Sequence, residues 1–191
     1  MTKLLLLYDD ASRNFNAIDI PKALQKVAEK LRYDVSAIQM NGGEIRPCYG
    51  CNGCWTKTPG ICVITNDCVG DISRQYIRTD VVVLLSEITY GGFSPDIKVF
   101  LDRNISHVLP FFTTHNGEMH HPKRYEHYPC RIAFGYGNVS EQERKTFFEL
   151  ERRNTHGLRP DNLLTIVTTN SDEWQSALTD FEAFLSRGTS A

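Results

Sequence analysis

Long apolar runs are missing from this sequence. The chain starts MTKLLLLYDD, where four leucines are soon followed by two aspartates, so the apolar stretch of a signal peptide is absent. Nowhere does it approach the roughly 18 consecutive apolar residues that cross a membrane as a helix. We therefore expect a cytoplasmic protein without membrane contact, in which cysteine thiols stay reduced.

An excess of charge of either sign is also missing. The 21 lysines and arginines oppose 23 aspartates and glutamates, for a net charge of −2. Nucleic-acid and membrane-surface binding usually need a basic excess or a polybasic run, so we expect neither partner. The 191 residues, 41% of them apolar, suit a single domain over 1–191 with a full core.

Short apolar runs alternate with amphipathic segments along the chain. Strands are predicted at 3–8, 34–40, 81–85, 131–134 and 163–168. Helices are predicted from Pro21, over 71–78, from Ser94 as N-cap with Pro95 in the first turn, from the capping box Ser140/Glu143 to near Gly157, and from Asn170 or Ser171 to Gly188. Five strands that alternate with helices indicate a parallel sheet covered on both faces.

The loop after the first strand distinguishes between the doubly wound folds. It reads DDASRNFNA and has no glycine, whereas a dinucleotide-binding domain carries G-x-G-x-x-G there. We therefore predict a flavodoxin-like α/β fold, with a five-stranded doubly wound parallel sheet in the order 2-1-3-4-5. In that order a ligand binds at the carboxyl ends of the first and third strands, where the strand order reverses.

The first of three loops at that edge is Asp10–Ala17. It offers hydroxyl, guanidinium and amide donors from four side chains, namely Ser12, Arg13, Asn14 and Asn16. Such donors, with the N–H groups that lead into the first helix, suit a phosphate. An ordinary polar loop with a helix cap explains them equally well.

The other two loops carry glycines and aromatic residues. In Glu87–Ser94, Gly91 and Gly92 allow a flat ligand to approach, and Tyr90 or Phe93 can stack on it. The segment Gly135–Asn138 likewise combines glycines with an aromatic residue, and the same interpretation applies to it. A simple strand-to-helix turn is the alternative for each loop, so the prediction depends on all three sharing one edge.

Four cysteines lie close together with the spacing C-x2-C-x2-C-x7-C: Cys48, Cys51, Cys54 and Cys62, here called the cysteine quartet. Gly50 and Gly53 make it easy for the backbone to coil, so that the thiols can converge. This is the ligand set of a [4Fe-4S] cluster, whereas a zinc site usually separates its ligands into two pairs. A cluster is therefore the first interpretation and zinc the second. Free thiols remain an alternative, and a disulfide framework fits a cytoplasmic chain poorly.

Several longer segments resemble one known family. The quartet is followed by the acidic turn ITNDCVGDI and then by the strand–loop–helix pattern VVVLLSEITYGGFSPDIKVFLDR. The segment GEMHHPKRYEHYP and the stretch matching C-W-x-K-T-P-G-x-C are also similar. On these residues the chain resembles the flavodoxin-like NAD(P)H-dependent FMN reductases, and within them the iron–sulfur flavoproteins, most densely between residues 45 and 137.

The resemblance implies FMN at the three loops. The phosphate would lie on Ser12, Arg13, Asn14 and Asn16, the isoalloxazine along Ile88, Thr89, Tyr90 and Gly91, and its other edge against Gly135, Tyr136 and Gly137. It also implies a [4Fe-4S] cluster on the quartet and assembly into a homodimer or homotetramer. No catalytic side chain is implied, because the flavin carries the chemistry.

The implied function is electron transfer. FMN exchanges electrons in pairs or singly and a cluster passes them singly, so the chain would connect two-electron and one-electron partners. NAD(P)H or a reduced ferredoxin would be the donor, and a quinone, an oxygen species, free flavin or another protein the acceptor. The alternatives are an FMN or quinone reductase without a cluster, and a non-catalytic module with a structural zinc site.

Two segments interrupt the alternation, a cysteine loop at 46–68 and an excursion at 107–129. The excursion holds five of the six histidines, namely His107, His115, His120, His121 and His127. They indicate either a second metal site or a polar lid over the flavin or dimer contact, and we favour the latter because Gly117 and Pro122 break the segment. Cys68 and Cys130 are predicted to be buried core thiols, with Cys68 near enough to the quartet to substitute as a ligand.

Overall fold

The computed structural model describes residues 1–115, 117–155 and 163–188. In these ranges the chain forms eight strands: β1 (Lys3–Tyr8), β2 (Asp34–Gln39), β3 (Val81–Thr89), β4 (Gly92–Phe93), β5 (Thr113–His115), β6 (Glu118–His120), β7 (Cys130–Tyr136) and β8 (Leu163–Thr168). It also forms six α-helices: α1 (Ile20–Lys30), α2 (Gly53–Thr56), α3 (Val69–Ile77), α4 (Pro95–Arg103), α5 (Glu141–Thr155) and α6 (Ser171–Ser186). None of these helices is long and apolar enough to cross a membrane.

A mostly parallel sheet lies at the centre of the fold, in the order β2-β1-β3-β7-β8. β1 pairs in parallel with β2 and β3, β3 with β7, and β7 with β8. The prediction of a flavodoxin-like α/β fold is confirmed at this level. The sheet has six strands rather than five, because β4 pairs antiparallel with the end of β3. The order also differs from the predicted numbering, since β4 and the separate hairpin β5–β6 precede β7.

Alternate side chains of β1 divide the core into two layers. Leu4 and Leu6 pack with α1 and α6, whereas Leu5 and Leu7 pack with α3, α4 and α5. All four leucines are at most 2% exposed, as expected for a parallel strand covered on both faces. Because helices occupy both faces, the loops at the carboxyl ends of the strands form the exposed edge available to a ligand.

The predicted start of a helix is most accurate where the sequence contains a capping box. At the start of α5 the Glu143 N–H donates to Ser140 Oγ at 3.3 Å, and the Ser140 N–H donates to the Glu143 carboxylate at 3.0 Å. The predicted end of that helix near Gly157 lies outside the described residues. β3 continues beyond its predicted end at 85 to Thr89, because pairing with β4 and β7 extends the ladder.

A tight turn in the first loop places two non-glycine residues in the left-handed region. Phe15 and Ile18 exchange backbone hydrogen bonds of 3.1 and 2.8 Å. Between them Asn16 has φ 49° and Ala17 has φ 63°. Asparagine tolerates this conformation, but the Cβ of alanine clashes with the following carbonyl oxygen. Ala17 is therefore a strained residue in a loop predicted to bind a cofactor.

Replacing Ala17 with glycine should relieve this strain. We expect Ala17→Gly to raise the free energy of unfolding by about 0.5–1 kcal/mol, the strain removed less the added flexibility of the unfolded chain. The measurement is the midpoint of urea unfolding. The matched control Ala11→Gly, in the 3₁₀ turn Asp10–Asn14, should lower the midpoint. A lower midpoint for both variants would contradict the assignment of strain to Ala17.

Candidate functional site

The three loops predicted to bind a cofactor meet at one edge of the sheet. β1, β3 and β7 are neighbouring parallel strands, so the segments after them leave the sheet on the same side. All eleven predicted cofactor residues lie at the ends of these strands or in the segments that follow: Ser12, Arg13, Asn14, Asn16, Ile88, Thr89, Tyr90, Gly91, Gly135, Tyr136 and Gly137. The fold therefore brings the three loops together as expected.

A buried carboxylate connects these loops. Asp9 directly follows β1 and is 2% exposed. Its Oδ2 accepts hydrogen bonds from the Glu87 N–H at 2.7 Å and from the Ser94 hydroxyl at 2.8 Å, and its Oδ1 accepts one from the Tyr136 hydroxyl. Three donors offset the cost of burying the charge. This Asp9 network (Asp9, Glu87, Ser94 and Tyr136) joins β1, β3, β7 and the start of α4.

The sequence analysis did not identify Asp9. Its signal is a carboxylate immediately after a strand buried on both faces, where a charge needs partners. Ser94 was predicted to cap α4, but its side chain makes no hydrogen bond to that helix. Its hydroxyl donates to Asp9 instead, and its N–H donates to Ser86 Oγ at 2.8 Å. The Ser94 hydroxyl therefore bonds to the buried carboxylate rather than to the N-terminus of α4.

Two of the predicted cofactor residues direct their hydroxyls toward Asp9. Ser12 is fully buried and donates to the Asp9 carbonyl at 2.5 Å. Burial and the adjacent Asp9 carboxylate raise the pKa of Tyr136 well above its usual value, so its hydroxyl stays protonated and donates. Of the four residues predicted to bind a phosphate, Arg13, Asn14 and Asn16 are exposed and Ser12 is not.

The second carboxylate of this loop also has a partner within the protein. Gln39 Nε2 donates to Asp10 Oδ1 at 3.0 Å, and Gln39 Oε1 accepts from Arg13 at 3.5 Å. One amide thus separates the carboxylate from the guanidinium. Asp10 is drawn toward β2, and Arg13 remains exposed at the edge of the sheet.

Tyr90 presents its ring to solvent at the same edge. Its side chain is 93% exposed and its backbone is left-handed, with φ 51°. Gly91 follows with φ 76°, and a Cβ there would lie 2.8 Å from Thr146, so only glycine fits. An aromatic ring in this position can stack on a flat ligand.

Gly135 has a different explanation from the one predicted. A Cβ at this position would lie 2.6 Å from Ile88 Cδ1 and 3.0 Å from the Phe147 ring. Glycine is required there by close packing of side chains inside the protein. Close approach of a ligand is not needed to explain it.

The quartet is arranged around the short helix α2. It comprises buried Cys54, half-buried Cys62 and exposed Cys48 and Cys51, all of them free thiols. The backbone coils through left-handed conformations at Gly50, as predicted, and at Asn52, which was not predicted. Gly53, predicted to help in the same way, is instead the first residue of helix α2. Burial raises the pKa of the Cys54 thiol, and repulsion from the other three members raises it further. All three are therefore close enough to Cys54 to interact with it electrostatically.

The quartet does not form a closed single-ion site. In the three described ranges, no group of three or more histidine, cysteine, aspartate or glutamate side chains is arranged to hold a metal ion. Four cysteine thiols are the donor type of a [4Fe-4S] cluster, so the chemistry of the set fits that group although the described side chains are not arranged around an ion. Of the other two thiols, Cys130 is buried as predicted, whereas Cys68 is exposed.

Arg103 closes the base of the cysteine loop. Its side chain is fully buried and forms an ion pair with Asp67. It also donates to the carbonyls of Arg46 at 3.3 Å and Ile64 at 2.8 Å. The last residue of α4 thus joins both ends of the loop. The sequence analysis had included this arginine only as part of a family pattern.

The excursion packs against the cysteine loop. Trp55 Nε1 lies 3.0 Å from the carbonyl oxygens of both Ile105 and Val108, and the Trp55 and His121 rings are 5.0 Å apart. A Cβ on Gly60 would lie 2.8 Å from the Tyr125 hydroxyl. The excursion therefore covers part of the cysteine loop of its own chain.

One histidine of the excursion is buried. His107 is 5% exposed, and its Nε2 lies 2.5 Å from the Ser73 hydroxyl. Burial, with a smaller contribution from Arg124, lowers the pKa of His107 to about 4. The imidazole is therefore neutral at pH 7.

This lowered pKa predicts acid sensitivity. The unfolded chain binds the proton from about pH 6.5 downward and the folded chain only near pH 4. Folding stability should therefore fall as the pH drops through this window, by up to about 3 kcal/mol. Urea unfolding at pH 7, 6, 5 and 4 measures this loss. The His107→Gln variant should have a lower free energy of unfolding at pH 7, but that free energy should change less as the pH falls. A variant whose free energy of unfolding falls with pH as steeply as that of the wild type would contradict the assignment.

Comparison with known proteins finds no matching family model. The chain is similar in sequence to an iron–sulfur flavoprotein from Methanocaldococcus jannaschii, with 33% identity over 85 residues. The match covers 44% of this chain and 42% of the relative, so it spans less than half of that protein. The predicted resemblance to iron–sulfur flavoproteins is confirmed by this match.

Solved structures extend the likeness over the whole fold. An FMN-dependent NADH-azoreductase from Bacillus anthracis, in complex with FMN, superposes with a TM-score of 0.65 at 11% identity and covers 100% of both chains. An NAD(P)H:quinone oxidoreductase from Methanothermobacter marburgensis has a TM-score of 0.66 at 11% identity, covering 95% of this chain and 94% of that one. At this identity the likeness concerns the fold alone. The chain has a flavodoxin-like fold together with a sequence resemblance to the iron–sulfur flavoproteins.

Proposed function

We propose that the chain is an FMN-dependent oxidoreductase. It would pass electrons from a reduced donor, such as NAD(P)H or a carrier protein, to an acceptor through FMN and a [4Fe-4S] cluster. The observation that carries this proposal is the convergence of three loops at the edge of a flavodoxin-like sheet, in a chain that also holds the quartet. The sequence resemblance to an iron–sulfur flavoprotein supports both halves of it.

The phosphate of FMN would lie on Arg13, Asn14, Asn16 and backbone N–H groups of the first loop. Two carboxylates in this loop would oppose it if they faced the phosphate. Asp9 instead accepts three hydrogen bonds inside the protein, and Asp10 accepts one from Gln39. Both carboxylates keep their negative charge but are held by donors within the protein, and Arg13 is the cation that this loop offers to the phosphate.

The flavin ring would lie along Ile88–Gly91, where the exposed Tyr90 ring is available for stacking. Gly137, which is buried with φ 132°, would lie at the opposite side. FMN bound there supplies one- and two-electron redox chemistry, and a cluster supplies one-electron transfer. The chain itself positions the ring and excludes water from its buried side.

The quartet would hold the cluster. Burial, followed by repulsion from the other three members, raises the pKa of the Cys54 thiol, and bound iron would favour its thiolate form. A specific observation favours a second candidate, an FMN or quinone reductase without a cluster. No metal-holding arrangement of side chains exists in the part of the chain that the structure describes.

Anaerobic purification followed by a visible spectrum and assays for iron, zinc and sulfide tests the proposal. We expect a flavin band, a broad brown absorbance and about four irons per chain. Serine variants of Cys48, Cys51, Cys54 and Cys62 should lose the iron and keep the flavin, whereas the control Cys130→Ala should keep both. A flavin band without iron would establish the second candidate. Zinc without flavin would indicate a structural module and contradict both.

The phosphate assignment has its own test. We expect Arg13→Ala to weaken FMN binding roughly tenfold or more, because a charge-assisted hydrogen bond is lost. Quenching of flavin fluorescence on titration measures the dissociation constant. Lys26→Ala, which removes an exposed cation from α1, should leave it unchanged. Equal affinities for Arg13→Ala and the wild type would place the phosphate elsewhere.

A further inference from the structure

Glu87 stands at the point where the strand order reverses. In β3, Leu85 is the last residue in register with β1, where it pairs with Tyr8. Glu87 lies two residues further on and pairs with Tyr136 of β7. It is therefore past the end of β1, at the edge where sheets of this kind bind their ligands. Its side chain is exposed, whereas the residues on either side of it in β3 are buried.

Glu87 also lies between two of the segments proposed to hold the flavin. It directly precedes Ile88–Gly91, and a Cβ on the buried Gly137 would lie 3.5 Å from Glu87 Cγ. The Glu87 N–H donates to the Asp9 carboxylate at 2.7 Å, so the backbone at this position is held in place. A flat ring bound along Ile88–Gly91 and against Gly137 would therefore have the Glu87 side chain beside it.

The negative charge of Glu87 is not offset by a cation. Within the described ranges its carboxylate forms no ion pair. Burial raises the pKa of the Tyr136 hydroxyl, and the carboxylates of Asp9, Glu87 and Asp10 raise it further. All three carboxylates are thus near enough to this hydroxyl to act on it. The first loop sets a single cation, Arg13, against them.

A negative charge beside a flavin ring acts unequally on the oxidised and reduced forms of that ring. A hydride from NAD(P)H brings two electrons and one proton to the neutral ring, which leaves one negative charge until a proton from water neutralises it. A nearby carboxylate repels that negative charge and so disfavours reduction. Charge near the ring nitrogens is one of the means by which a protein sets the electronic properties of a flavin.

We propose that the Glu87 carboxylate lowers the midpoint potential of bound FMN and thereby makes the reduced flavin a stronger electron donor. Glu87 acts through its charge alone and exchanges no proton or electron with the ring. The inference rests on the proposed binding of FMN at the three loops and deepens it, because it assigns a residue that favours electron transfer away from the flavin. The Glu87 N–H, rather than its side chain, bonds to Asp9, so the carboxylate can be replaced without breaking the Asp9 network.

Spectroelectrochemical titration of the full chain loaded with FMN, at pH 7 and low salt, measures this effect. At a fixed applied potential we expect Glu87→Gln to raise the ratio of reduced to oxidised FMN roughly three- to tenfold, the effect of one partly screened charge. This ratio corresponds to a rise of about 15–30 mV in the midpoint potential. The difference from the wild type should shrink in roughly 1 M salt, because ions screen an exposed charge.

Two further variants serve as controls. Glu87→Asp keeps the charge, so its midpoint potential should stay closer to that of the wild type than the potential of Glu87→Gln does. Glu29→Gln removes an exposed carboxylate from the last turn of α1, at the opposite edge of the sheet, and should leave the midpoint potential unchanged. Circular dichroism and the urea midpoint of each variant establish that it is folded, and Glu87→Ala provides a second neutral variant.

Two results would overturn this inference and leave the proposed function standing. One is a midpoint potential of Glu87→Gln equal to that of the wild type. The other is a shift that persists undiminished at high salt, which would mean that the substitution acts through the packing of the site rather than through charge. A wild-type chain that binds no FMN, even when FMN is added in excess, would instead refute the proposed function and this inference with it.

Discussion

The buried carboxylate of Asp9 is the interaction on which the arrangement of the candidate site depends. A charge at 2% exposure is tolerated only because donors from three other parts of the chain reach it. Those donors come from the end of β3, the start of α4 and the end of β7. The requirement to satisfy one carboxylate therefore determines how the three loops stand relative to one another.

Helix α4 connects this edge to the cysteine loop. It begins after Ser94, which donates to Asp9, and it ends at Arg103, which pairs with Asp67 and closes the loop. Nine helical residues span about 14 Å. Both ends of α4 are thus held by buried carboxylates, so one helix joins the edge that carries the three loops to the base of the cysteine loop.

Much of the fold is encoded locally and was predictable. The apolar runs at 3–8 and 163–168 became strands with those bounds, and the Ser140/Glu143 box capped its helix. The meeting of the three loops at the carboxyl ends of the strands was predictable from the strand order. The partners of Asp9 and Arg103 were not, because they come from residues distant in sequence. The short strands β4 to β6 were not predicted, because a strand of two or three residues is too short to show an alternating pattern in the sequence.

The most direct test of this account is a double-mutant cycle between Asp9→Asn and Tyr136→Phe, measured by urea unfolding. Both single variants leave buried polar groups without their partner, and the double variant removes the shared interaction only once. We predict a coupling free energy of about 1.5–3 kcal/mol, as expected for a hydrogen bond to a buried charge. Losses that add to within about 0.5 kcal/mol would mean that the two residues act independently. That result would contradict the central role assigned to Asp9.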